Sequence, residues 1–226
     1  MKFSHGIIAA ALLVLASAPR AGVEILGTRI IYNANKKEVS LQLSNRDNAP
    51  YLIQSWIDDG KESGESNTPF IITPPLFRLE NNKDAVLRIV KTGGQFPQDR
   101  ESLYWANVKY IPSVEKIDAN MLYIAVKTRM KLIYRPSTLN EENAGKAGEA
   151  LVWQREDRNL VVKNPTPYVI SFGYIEIGGK RLSDPDFVLP FGSKTYRLPA
   201  NMSGRDVQWA IINDYGKTAS PNRTSL

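Results

Sequence analysis

The chain has 226 residues, 42% hydrophobic and 23% charged, with a net charge of +6, enough for one large all-β domain or two of about 100 residues. It contains no cysteine, and its one histidine, His5, lies in a leader-like segment, which excludes a Ser-His-Asp triad, a Cys nucleophile and the usual zinc sites from the remainder. No Gly-rich phosphate loop or dinucleotide fingerprint is present, so no cofactor is expected.

Residues 1–21 read as a secretory signal: Lys2, an apolar run from Ile7 to Ala16 too short to cross a membrane, then small residues, with cleavage expected after Ala21. Removing Lys2 and Arg20 takes the 29 basic residues to 27 against 23 acidic, and the net charge from +6 to +4. That mild excess, interspersed with acids, argues weakly for anionic partners and poorly for nucleic acid, and with no second apolar run no membrane insertion is expected. An exported chain without disulfides fits a bacterial periplasm.

Val23 to Tyr32 predicts a first strand, ended by the turn around Asn33. Val39, Leu41 and Leu43 alternate with Ser40, Gln42 and Ser44, the period of a half-buried strand. Tyr51–Ile57, Phe70–Thr73, Phe77–Leu79, Ala85–Val90 and Ser102–Ile111 read as further strands, and Pro74 offers a place for a cis bond. Strands this short, separated by turn signals every 8–12 residues, predict a β-sandwich.

The stretch Asn120–Arg135 stands out, because it is apolar and β-prone and lacks Gly and Pro. As one strand it would run roughly 50 Å. Leu122, Ile124 and Val126 alternate on one side, while Met121, Tyr123 and Ala125 make the other side apolar as well. By periodicity alone the first row reads as facing its own core; a strand apolar on both faces nevertheless needs a second cover.

Ser137 to Glu149 is polar, with two glycines, and reads as a linker or mobile loop. A second set of strands is expected at Leu151–Arg155, Leu160–Lys163, Tyr168–Ile177, Asp186–Leu189, Lys194–Leu198 and Val207–Asn213, with Gly178–Gly179 as a hairpin turn. The division is thus a domain at 22–137 and a smaller one at 138–226. Three carboxylate pairs (Asp58–Asp59, Glu141–Glu142 and Asp184–Asp186) lie in turn-like contexts and read as solvated surface acids. An enzyme is therefore not expected.

The sequence Phe96-Pro97-Gln98-Asp99-Arg100-Glu101-Ser102-Leu103-Tyr104-Trp105-Ala106-Asn107-Val108-Lys109-Tyr110-Ile111-Pro112 resembles the signature of the periplasmic pilus-assembly chaperones, the PapD-like family of the chaperone–usher pathway. Thr28-Arg29, Thr73-Pro74-Pro75, the stretch Met130 to Pro136, and Ile212 to Gly216 match further family features in order. The resemblance implies two immunoglobulin-like β-sandwich domains in a boomerang arrangement. It also implies that the strand at 120–135 is lent to pilus or fimbrial subunits lacking a final strand, before delivery to an outer-membrane usher. Leu122, Ile124 and Val126 match the groove-filling positions, worth together ~5–9 kcal/mol of burial. Arg29 and Lys131 match the pair that holds the subunit's C-terminal carboxylate, and Glu101, Arg135 and Asp214 match an interdomain ionic network. The short loop from Pro112 to Ala119 resembles that of the short-loop branch. An exposed apolar edge makes self-association of the free form an expectation. The rival reading is an immunoglobulin-like structural or adhesive surface protein whose long strand is merely core.

One geometric tension is visible already. Lys131 has the opposite parity to Leu122, Ile124 and Val126, so either a bulge intervenes or anchor and row lie on different sides of a twisted strand.

Overall fold

The structure is a computed structural model that describes residues 22–61, 68–113, 124–200, 202 and 204–226. The first domain is built from β1 (Val23–Ile25), β2 (Arg29–Asn33), β3 (Glu38–Asn45), β4 (Tyr51–Asp58), β5 (Phe70–Thr73), β6 (Leu76–Leu79), β7 (Asp84–Lys91), β8 (Ser102–Pro112) and β9 (Val126–Arg135). They form two sheets, ordered β1-β3-β7-β5 and β2-β9-β8-β4-β6. The sheets close on one core, in which Leu43, Ile53, Leu87, Ile89, Val108 and Leu132 are fully buried. At one end Tyr32, Phe70, Phe96 and Tyr134 pack together, with the Phe96 and Tyr134 rings stacked 3.9 Å apart. The Thr73–Pro74 bond is cis.

The expected first strand is in fact two. The chain turns at Gly27, whose φ of +97° suits a residue without Cβ. Upstream, β1 pairs antiparallel with β3 in one sheet; downstream, β2 pairs parallel with β9 in the other. The β-prone sequence on both sides conceals this switch, because both halves bury alternate residues whichever sheet they join.

The expected linker is also partly structured. Glu141–Lys146 forms a short helix, α1, whose first turn is capped by Asn140 Oδ1 accepting from the Asn143 amide at 2.9 Å. A 3-10 turn over Ala147–Ala150 follows. The Gly148 carbonyl accepts the Trp209 indole N–H at 2.9 Å, and a Cβ on Gly148 would come within 2.8 Å of Ile211. Its polarity marks an exposed face, and small residues bring the other face close to the second core.

The second domain comprises β10 (Val152–Glu156), β11 (Asn159–Lys163), β12 (Ile170–Ile177), β13 (Lys180–Arg181), β14 (Phe187–Val188), β15 (Ser193–Arg197), β16 (Asp206–Ile211) and β17 (Asn222–Ser225). One sheet runs β10-β11-β15; the other runs β13-β12-β16-β17, with β14 also on β12. Trp153 and Trp209, 5.1 Å apart, fill the core beside Ile175, Ile177 and Leu160. The chain therefore folds as two immunoglobulin-like β-sandwiches. The terminal strand β17, polar throughout, carries no alternating apolar signal and was not expected.

The aromatic cluster gives a direct test. Phe70→Ala should cost the first domain about 3–5 kcal/mol, read as a lower urea midpoint with an unchanged slope.

Candidate functional site

The site is assembled around β9, whose two faces are unlike. Met130, Leu132 and Tyr134 point into the first core, while Lys127, Arg129 and Lys131 lie on the outer face. Pairing with β8 runs without a register shift from Tyr110↔Val126 to Ser102↔Tyr134. No bulge interrupts Val126–Arg135, so Lys131 and the row that includes Val126 lie on opposite faces of the strand, the second of the two geometries the parity allowed.

The expected long strand is shorter than its sequence suggested. β9 begins at Val126, and Ile124 and Ala125 make no ladder. Beyond Tyr110↔Val126, β8 has only Ile111 and Pro112 left to offer. Ile124 is 62% exposed and Val126 39%, apolar side chains left largely uncovered by the described residues. Leu122 and most of the 112–119 loop lie outside the described residues, as does the segment read as a signal.

The open side of β9 follows from the turn at Gly27. On the edge away from β8, β2 pairs with Lys131 to Arg135 only, starting at Arg29↔Lys131. From Val126 to Met130 that edge has no partner strand among the described residues. Unpaired backbone beside exposed apolar side chains is a template for an added strand.

At the closed end of this edge sit two cations. Arg29 and Lys131 are register partners, both half-buried. Arg29 Nη1 donates to the Ile212 carbonyl at 3.1 Å, and its Nε is buried without a partner among the described residues. Lys131 Nζ lies 5.4 Å from the Trp105 ring and 4.9 Å from that of Phe187, and makes no ion pair among the described residues. Burial lowers the pKa of Lys131, and the nearby charges of Arg29 and Lys194 add to this against the attraction of Asp186. Burial lowers that of Arg29 too, against Asp214. Two desolvated, underpaired cations side by side favour a carboxylate. A cleft of about 140 Å³ adjoins Arg29, lined also by Ser171, Ile212 and Asp214; the Ser171 hydroxyl is buried there without a partner among the described residues.

Behind the cations, Glu101, Arg135 and Asp214 come together as one network joining the two domains. Arg135 Nε donates to Glu101 Oε1 at 2.6 Å, and its two terminal nitrogens fork onto Asp214 at 2.6 and 2.9 Å. Glu101 Oε2 accepts the Val169 amide at 2.7 Å. Burial raises the Glu101 pKa against the pull of Arg135. For Arg135, burial works the other way, but the hydrogen bonds it donates to both carboxylates, with their charges, outweigh it and hold the guanidinium charged.

Four of the six acids read as solvated pair with cations, Asp59 with Lys61 and Glu142 with Lys146 among them. Asp58 accepts from Arg129 at 2.8 Å and from Asn107 at 2.7 Å, and Asp186 pairs with Lys194 at 2.6 Å. Trp105 and Phe187, whose rings meet edge-on at 5.9 Å across the domains, flank Lys131 and were not singled out from sequence. The parity that puts Trp105 opposite Lys131 was the available signal for the first; Phe187 is brought in by the second domain and had none.

Residues 22–140 match the pili and flagellar-assembly chaperone PapD N-terminal domain, and residues 146–223 match the pili assembly chaperone PapD C-terminal domain. The chain belongs to this chaperone family. It is 41% identical over 203 residues to the chaperone protein FocC of Escherichia coli, covering 87% of this chain and 86% of that one. It is likewise 41% identical over 227 residues to the chaperone protein FimC of Escherichia coli O6:H1, covering 98% and 91%. Among solved structures, a chain of the Salmonella enterica SafA pilin–SafB chaperone complex superposes with a TM-score of 0.81 at 35% identity, covering 93% of this chain and 99% of that one. The Escherichia coli chaperone DraB superposes at 0.77 and 38% identity, with 91% and 96% covered.

Arg135→Gln in this PapD-family chain would leave Glu101 buried without its cation. A loss of about 3–5 kcal/mol is expected, measured by thermal unfolding, whereas Arg100→Gln on the exposed pair with Asp99 should leave the unfolding transition nearly unchanged.

Proposed function

We propose that the chain is a periplasmic chaperone that holds pilus or fimbrial subunits by lending them β9 and the residues before it, then passes them to an outer-membrane usher. The observation that carries this reading is the edge open from Val126 to Met130, which ends at Arg29 and Lys131. A subunit strand added there completes the ladder, and its C-terminal carboxylate meets the two cations. Leu122, Ile124 and Val126 enter the subunit's own unfilled core. In this reading residues 1–21 are removed during export, the domains divide at 137/138, and Glu101, Arg135 and Asp214 set the angle at which the domains face the subunit.

The mechanism needs no catalysis and no cofactor. The free energy comes from backbone pairing and apolar burial, ~1.5–3 kcal/mol for each of the three side chains before ordering costs. Such an interaction is strong enough to capture a subunit and weak enough to yield to a competing strand.

Lys131→Ala should abolish formation of a soluble one-to-one complex with a pilus subunit while leaving the protein's own thermal unfolding nearly unchanged. Arg29→Ala should do the same with a small loss of stability, since it also removes the bond to the Ile212 carbonyl. Normal capture by either variant would remove the carboxylate-anchor role. pH supplies a further measurement. The anchor requires a charged ammonium, and the pKa of Lys131 is lowered, so capture should weaken as pH rises through it. In Lys131→Arg this alkaline limb should shift to higher pH, because a guanidinium stays charged.

A further inference from the structure

The outer face of β9 carries a second charge feature that the carboxylate anchor does not use. Lys109 of β8 and Lys127 of β9 stand directly opposite each other, and neither makes an ion pair among the described residues. The nearby acid on this face, Asp58, has both carboxylate oxygens engaged by Arg129 and Asn107. The Lys127 ammonium instead rests 5.0 Å from the centre of the Trp56 ring. Directly opposed like charges weaken a strand pair, and a cation over a half-buried ring offsets this only in part. Among the described residues no anion is placed to relieve the pair.

The position of the pair defines what could. Lys127 flanks the open edge, on the same face as Lys131 and four residues before it, about 13 Å along the strand. A strand that ends with its carboxylate at Lys131 and Arg29 runs parallel to β9, as β2 does. Side chains at matching positions of parallel strands share a face. The residue four before the C-terminus of the added strand therefore lies beside Lys127.

We propose that Lys109 and Lys127 form a second anion seat that selects subunits carrying Asp or Glu four residues before their C-terminus. This inference rests on the strand-donation reading above. On binding, Lys127 leaves the Trp56 ring for the incoming carboxylate, with Lys109 adding its charge from the next strand.

The test uses two short peptides of alternating Val and Ser with free C-terminal carboxylates, differing only in Asp or Asn four residues before the last. Binding to the intact protein is measured by calorimetry and by tryptophan fluorescence, with Trp56→Phe identifying the contribution of that ring. The Asp peptide should bind roughly fivefold more tightly at low salt, with the preference fading as salt screens it. It alone should change the Trp56 emission, and the preference should collapse in the Lys109→Gln, Lys127→Gln double variant. Equal binding of the two peptides, with affinity lost when their C-termini are amidated, overturns the second seat and leaves strand donation standing. If neither binds, or amidation changes nothing, strand donation fails and the second seat falls with it.

Discussion

The guanidinium of Arg135 is the group on which the arrangement depends. It is buried between two domains that share no strand, and a buried cation is tolerated only when hydrogen-bonded and neutralised. Glu101 comes from the segment entering β8, and Asp214 from the loop after β16, so neutralisation requires both domains to be in place. Arg135 is also the last residue of β9, four residues further along the same ladder that holds Lys131 opposite Arg29. The contact that joins the domains therefore also pins the end of the functional strand. One buried ion cluster ties domain geometry to strand register.

Around that point the two faces of β9 divide the work. The inward residues from Met130 to Tyr134 belong to the first core and fix the strand in its sandwich. The outward residues form a sequence of cations over aromatic rings, Lys127 on Trp56, Arg129 on Trp105, and Lys131 between Trp105 and Phe187. Stacking on rings keeps these side chains ordered while leaving most of them without a bound anion, so the face stays positive and partly dry. Only Arg129 is neutralised, by Asp58.

Much of this was legible in the sequence, because alternation of apolar and polar residues follows the pleat directly. The strands from Val39 to Ile111 and from Leu151 to Asn213 stand close to where their periodicity put them, and Glu101, Arg135 and Asp214 meet as the motif resemblance implied. The failures share a cause. Val23–Tyr32 was read as one strand because apolar periodicity records burial and not which sheet provides it. Asn120–Arg135 was read as one long strand because its residues favour extension, whereas ladder formation also requires a neighbour, and β8 runs out at Pro112. Ser137–Glu149 was read as a linker or mobile loop because six helical residues hardly complete a period, and the docking of this stretch on Trp209 and Ile211 is a tertiary contact.

The late start of β2 has a further consequence. Had the chain remained extended through Gly27, β1 and β2 would have made one strand long enough to cover the edge of β9 from end to end. The turn leaves instead a slot that is open toward Val126 and shut at Lys131. In the strand-donation reading proposed above, a slot with one closed end would work as a gauge that registers an incoming chain from its terminus. Different strands can thus be seated in the same frame, and a chain that continues past the stop has nowhere to go.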